Sequence, residues 1–169
     1  VDMGQPELNG RSIPTTVEGE PVMGHVLTAN GHDYPCTFVS MGNPHAVTFV
    51  DDPDAAPVTT DGPVLECDPV FPRKANIEFV QVIDPTHVKM RVWERGTGET
   101  LACGTGATAA AIITNYALQH GTTKYRIQVP GGELIVGFTH EAGTQNYTNI
   151  RLTGPARRVF SGVFETDNF

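Results

Sequence analysis

Apolar positions along the chain recur mostly at a two-residue period, in short runs cut by glycine and proline. Val22 to Thr28 alternates and ends at Asn30-Gly31, a strong hairpin-turn signal, and Tyr34 to Val39 is the return run. Ala46 to Val50 is apolar and β-branched and stops at Asp51-Asp52-Pro53. Ile77 to Ile83 and Val88 to Trp93, joined by Asp84-Pro85-Thr86, predict an antiparallel pair. Tyr125 to Val129, Glu133 to Phe138, Asn149 to Leu152 and Val159 to Glu165 complete the expected strands. A short helix is expected to open at Asp61-Gly62-Pro63, with Asp61 as its cap and Pro63 in its first turn. One segment, Gly104 to Leu118, predicts a long helix, and it is small and apolar nearly all round. Such a helix belongs inside a protein. The expected fold is α+β, with mixed or antiparallel strands wrapped around one central buried helix.

Composition narrows the class. With 169 residues, 39% hydrophobic and 18% charged, the chain can bury a core and reads as one folded domain, with or without an appendage. The net charge of -8 and the lack of any basic cluster beyond Arg157-Arg158 argue against a nucleic-acid partner. No apolar run is long enough to span a bilayer. The opening Val1-Asp2-Met3-Gly4 has no signal-peptide character and no initiator methionine, which leads us to expect a truncated or processed chain. Three cysteines, Cys36, Cys67 and Cys103, form no closely spaced pair. That pattern suggests reduced thiols in a cytoplasmic setting, and no metal site is expected.

The chemically informative stretch is Glu94-Arg95-Gly96-Thr97-Gly98-Glu99-Thr100-Leu101-Ala102-Cys103-Gly104-Thr105-Gly106. A glycine-rich loop delivers Cys103 to a helix start, where free N–H groups and the positive end of the helix dipole favour negative charge. The thiol is therefore expected to ionise more easily than a free one, and to alkylate fast. The amides of Gly104, Thr105 and Gly106 suit a substrate carboxylate, and a thiolate beside it is placed to take the adjacent carbon-bound proton. An inert buried cysteine is the competing reading. A phosphate-binding loop would need a P-loop lysine or dinucleotide-type glycine spacing, and the chain has neither. Two further clusters carry candidate chemistry. Met41-Gly42-Asn43-Pro44-His45 lies between two strands, with His45 as a candidate orienting or proton-moving group. Arg73-Lys74-Ala75-Asn76 precedes Ile77, with Asn76 a candidate for a polar substrate end. Glu94 and Arg95 form either an exposed ion pair or, facing the site, partners for an ammonium and a carboxylate.

Taken together, these residues resemble the diaminopimelate epimerase family. The resemblance rests on Gly42-Asn43-Pro44-His45, on Asn76 before its strand, and on the block from Glu94 to Gly106; Leu152-Thr153-Gly154-Pro155-Ala156 is similar to the family's closing segment. It implies cofactor-free interconversion of LL- and meso-diaminopimelate, on the lysine and peptidoglycan precursor pathway, without pyridoxal phosphate, metal or nucleotide. It implies two cysteines on opposite sides of the α-carbon, one a thiolate base and the other a thiol acid, with Cys103 as one of them. By the same resemblance Asn43, Asn76, Glu94, Arg95, Gly104 and Thr105 match substrate-contacting positions and His45 a residue beside the site.

The family's first lobe carries its own cysteine in a Gly-Asn-Gly-x-Arg-Cys motif, which is not found here. Asn30-Gly31-His32-Asp33-Tyr34-Pro35-Cys36 lacks the arginine, and Cys36 and Cys67 read as structural. The chain is therefore expected to be a second lobe (residues 1–156), with residues 157–169 as a tail that would pack on the missing N-terminal lobe. Its expected partners are a small amino-acid substrate, that missing lobe and, by the resemblance, a second copy in a homodimer. Alone it is expected not to epimerise. Proline racemases and hydroxyproline epimerases, which share the two-cysteine logic, and a non-enzymatic β-rich binding module remain as alternatives.

Overall fold

The computed structural model describes residues 1–119 and 121–163. The strands are β1 (His25–Ala29), β2 (His32–Ser40), β3 (Pro44–Phe49), β4 (Asn76–Asp84), β5 (His87–Glu94), β6 (Gly98–Glu99), β7 (Lys124–Val129), β8 (Gly132–His140) and β9 (Tyr147–Thr153); the helices are α1 (Val58–Glu66) and α2 (Gly104–Leu118). The strands form one mixed sheet in the order β1-β2-β3-β4-β5-β7-β8-β9, with β6 paired to β5. The Asn30-Gly31 turn behaves as its sequence requires: both residues adopt positive φ, 51° and 84°, and Ala29 pairs with His32 across it.

Two neighbouring pairs, β3·β4 and β5·β7, are parallel, and each is joined by a helix. Parallel neighbours need a crossover, and such crossovers are right-handed. Both crossovers step in the same direction across the sheet, but β5 runs antiparallel to β4, so the rule sends α1 and α2 to opposite faces. The two buried apolar clusters agree. Val58 and Leu65 of α1 cluster with Ala46, Ile77 and Phe79, whereas α2 clusters with Val47, Val80, Met90, Tyr125 and Val136. Strands covered on both faces read as near-continuous apolar runs, as β3 and β4 do.

Helix α2 keeps its expected bounds, and Gly106 through Asn115 are all buried. Its C-cap, Gln119, takes the left-handed conformation at φ 49°.

Three expectations change. Helix α1 starts at Val58, three residues before the expected Asp61 cap, and Pro63 lies inside it. The missing Pro63 N–H is tolerated because packing of Val58 and Leu65, rather than propensity, holds this short helix. Asp61 instead turns its buried carboxylate to the β1–β2 hairpin, accepting from Asn30 Nδ2 (2.8 Å) and Tyr34 OH (2.5 Å), with His32 Nδ1 at 2.7 Å. The expected strand at Val159 to Glu165 is absent over residues 159–163, where Val159, Phe160 and Val163 lie exposed, outside both buried apolar clusters. Glu165 lies outside the described residues. Among the described residues, no helix is long and apolar enough to cross a membrane.

Candidate active site

Strand polarity assembles the site. Chain β5 ends where β3 and β4 begin, because it runs antiparallel to both, and the loop through β6 brings Cys103 back to that same end. On the sheet face that carries α2, the alternation of β3 and β4 presents His45, Asn76 and Glu78, and β5 presents Glu94. Three motifs far apart in sequence thus meet at the start of α2.

Cys103 is the N-cap of α2. It is 7% exposed, its backbone is extended (φ -128°), and its Sγ accepts from the Gly106 N–H at 3.3 Å, with Thr105 Oγ1 at 3.4 Å. The Gly104 and Thr105 N–H groups belong to the first helical turn, which has no intrahelical acceptor for them. The expectation of an easily ionised thiol is not met, because burial opposes the helix start. Burial pushes Cys103 up to about 11; Glu78 and Glu94 push the same way, while the Thr105 hydroxyl and the Gly106 N–H pull it down. The thiol is therefore protonated at neutral pH.

His45 and Glu78 are both fully buried, and His45 Nδ1 lies 2.6 Å from Glu78 Oε1. The other ring nitrogen, Nε2, lies 3.1 Å from Asn43 Oδ1. A Cβ placed on Gly106 would meet Glu78 Oε1 at 2.9 Å and Cys103 Sγ at 3.3 Å, so the carboxylate and the thiol flank the same bare backbone position. The glycine is there because nothing larger fits between them.

Asn76 is buried and uses both ends of its amide within the protein: Nδ2 donates to the Pro44 carbonyl and Oδ1 accepts from the Arg95 N–H, each at 2.9 Å. It ties the Asn43-Pro44-His45 turn to the Glu94-Arg95 turn. Arg95 also donates from Nη1 to the Arg73 carbonyl (2.9 Å). Glu94 accepts from Thr100 Oγ1 at 2.5 Å, and no ion pair joins it to Arg95 among the described residues. Cys36 is buried in β2, and burial pushes it up to about 12, whereas Cys67 is exposed at the end of α1.

Two residues escaped the sequence reading. Glu78 carried a usable signal, a lone charge within Ile77-Glu78-Phe79-Val80. Glu66 carried none. It is buried at the end of α1, where it accepts from Trp93 Nε1 (2.8 Å), the Gly96 N–H (3.0 Å) and Lys74 Nζ (3.1 Å). It thereby braces the turn that holds Glu94 and Arg95.

Fold and site together define an α+β protein that presents a buried helix-capping thiol among carboxylate, imidazole and amide groups. The sequence model of the family described as diaminopimelate epimerase matches residues 37–159. Diaminopimelate epimerases of Acaryochloris marina and Microcystis aeruginosa are 47% and 49% identical, over 98% and 97% of this chain and 57% of each relative. A solved putative phenazine biosynthesis protein from Clostridium difficile is 20% identical with a TM-score of 0.44, over 56% of this chain and 34% of that one. The chain belongs to the diaminopimelate epimerase family, and it spans under three fifths of the length of the curated relatives it matches.

Proposed function

We propose that the protein epimerises diaminopimelate between its LL and meso forms without a cofactor, and that this chain supplies one of two catalytic cysteines, Cys103. The observation that carries the reading is the placement of Cys103 as a buried N-cap beside free helix N–H groups, in a family whose members bear that name. In the proposed reaction the substrate α-carboxylate lies on the Gly104 and Thr105 N–H groups, which satisfies them and stabilises the negative charge that develops on proton loss. One thiolate removes the α-proton; a thiol on the opposite face donates its own proton to the carbanion. The apolar cluster around α2 and the exposed residues 154–163 support a lobe whose sheet curls about α2 and whose tail seats on a second lobe bearing the partner cysteine. Asn43, Asn76, Glu94 and Arg95 would hold the polar ends of the substrate, directly or through the turns they tie.

The test uses the complete gene product with LL-diaminopimelate in heavy water, following α-deuterium by NMR for the wild type and Cys103→Ala. Exchange that vanishes in the variant is expected. Absence of exchange by the wild type, with its thiols shown to be reduced, sinks the assignment. Epimerisation by these 169 residues alone would refute the half-site reading and promote Cys36 or Cys67.

A further inference from the structure

A buried carboxylate is costly unless both its oxygens are paired, and Glu66, at the end of α1, meets that condition. Its Oε2 accepts from Trp93 Nε1, and its Oε1 accepts from both the Gly96 N–H and Lys74 Nζ. An indole N–H, a backbone N–H and an ammonium can only donate. A glutamine has a single acceptor oxygen and cannot serve both sides, so the position selects an ionised carboxylate. Burial works against that charge, but the bonds from Trp93, Lys74 and Gly96 outweigh it and hold the carboxyl below its ordinary value.

These bonds converge on Arg95 from two directions. Along the backbone, the Arg95 N–H is held by Asn76 Oδ1 and the next N–H, that of Gly96, by Glu66. At the other end of the side chain, Arg95 Nη1 donates to the Arg73 carbonyl. The following residue, Lys74, adopts φ 58°, a left-handed conformation that residues other than glycine rarely take. Its ammonium is tied to Glu66 Oε1 at 3.1 Å, and the Ala75 N–H donates to the Glu66 carbonyl at 3.3 Å. One glutamate thus anchors both the Arg95 backbone and the loop on which its guanidinium rests. That guanidinium is left without an anion. Arg91, Arg126 and Arg151 face carboxylates at 2.6, 3.8 and 3.3 Å, whereas Arg95 faces none among the described residues, and its Nε and Nη2 make no hydrogen bond there. Nε and Nη2 form the edge of the fork that a carboxylate engages with two parallel bonds.

We propose that Glu66 is a positioning residue that fixes the Arg95 guanidinium, with its Nε–Nη2 edge open, for a carboxylate of the substrate. The inference rests on the proposed epimerase reading for that substrate and on the Glu66 contacts for its geometry. Glu66 itself touches neither substrate nor thiol in this scheme. Its contribution belongs to binding, and it passes entirely through Arg95.

The test is a double-mutant cycle on the complete protein, read as steady-state epimerisation of LL-diaminopimelate by Glu66→Leu, Arg95→Ala and the pair. Glu66→Leu should raise KM about ten-fold and change kcat less than about three-fold, the scale of one weakened charged hydrogen bond. In the Arg95→Ala background the same substitution should change kcat/KM by less than about two-fold, because the group it positions is gone. A merely structural glutamate would lose the same factor in both backgrounds. Equal losses, a loss confined to kcat, or wild-type kinetics of Glu66→Leu would each overturn the role. Lys74→Met keeps the test decisive if Glu66→Leu fails to fold, since the Lys74 side chain is 52% exposed and its loss leaves the core intact. It should raise KM about three-fold with Arg95 present and leave kcat/KM unchanged without it, and an equal effect in both backgrounds would overturn the proposal. A wild-type enzyme without turnover would overturn the epimerase reading and with it the carboxylate assigned to Arg95, whereas a wild type that turns over with additive losses overturns the role of Glu66 alone.

Discussion

Replacing Gly106 by alanine sets helix propensity against a specific contact. Alanine is favoured over glycine inside a helix by about 1 kcal/mol, which taken alone predicts stabilisation. The new Cβ would stand 2.9 Å from Glu78 Oε1, 3.2 Å from Cys103 Cβ and 3.3 Å from Cys103 Sγ. The carboxylate tip of an exposed glutamate would swing away at little cost. This one is fully buried and held 2.6 Å from His45 Nδ1. Breaking that contact loses a hydrogen bond to a charged group, about 1.5–3 kcal/mol, and an off-rotamer side chain adds up to about 1 kcal/mol. The net expectation is destabilisation of about 0.5–3 kcal/mol, read from urea unfolding with an unchanged m-value. Gly104→Ala is the internal control. It carries a similar propensity gain, but its Cβ meets only the Leu152 Cδ2 methyl at 3.0 Å, the tip of a half-buried side chain that can yield. It should lie within about 0.5 kcal/mol of wild type. A Gly106→Ala protein more stable than wild type by the full propensity gain would show that Glu78 is not held as described.

Other outcomes follow from the same contacts. Iodoacetamide should modify exposed Cys67 readily and Cys103 slowly at pH 8, where a thiol near 11 is only about 0.1% ionised, with the Cys103 rate rising steeply at higher pH; fast modification of Cys103 at pH 7 would contradict its burial. Gly62→Ala should destabilise by about 1–3 kcal/mol in thermal or urea unfolding, because its Cβ would lie 2.7 Å from Trp93 Cβ and Cγ, atoms with no room to move. Burial works against the Asp61 charge, but hydrogen bonds from Asn30, Tyr34 and His32 outweigh it and hold the carboxyl below its ordinary value. Its stabilisation is therefore complete above the unfolded value of about 4 and is lost as pH falls through the lower folded value, so Asp61→Asn should flatten the acid limb of stability against pH.

What the sequence made legible was local. Helix α2 could be bounded because glycine opens it and a continuous apolar run fills it, and the Asn30-Gly31 hairpin because that turn demands two residues with positive φ. Strands β3 and β4 could be found because covering both faces removes polar positions from them. Helix α1 was misplaced because Pro63 suggests a first turn, and only tertiary packing of Val58 and Leu65 overrides that local preference. Candidate residues around Cys103 and His45 were visible as types. Their joins were not: Glu78 meets a histidine 33 positions earlier, and Glu66 reaches Gly96 across 30. Such contacts depend on strand order, and strand order depends on two crossovers whose handedness is a property of the chain in space.

The thiol shows most plainly how magnitudes decide. A helix N-terminus contributes roughly 0.3–1 kcal/mol, at most about 2, in favour of a negative charge, which is under one pKa unit as a rule and at most about 1.5. Burial can raise a thiol by as much as about 3–5 units. At Cys103 the second effect exceeds the first, and Glu78 and Glu94 add to it, so the helix start alone does not make a thiolate. Under the proposed chemistry the resting thiol is the acid of the pair. To serve as the base in the reverse direction it must lose its proton, and a bound ammonium group within about 4–6 Å of it would lower it by about 1–3 units. The substrate would thus complete the base that acts on it. This predicts that Cys103 alkylation at fixed pH depends on the charge of a bound ligand, and not only on whether the ligand blocks access.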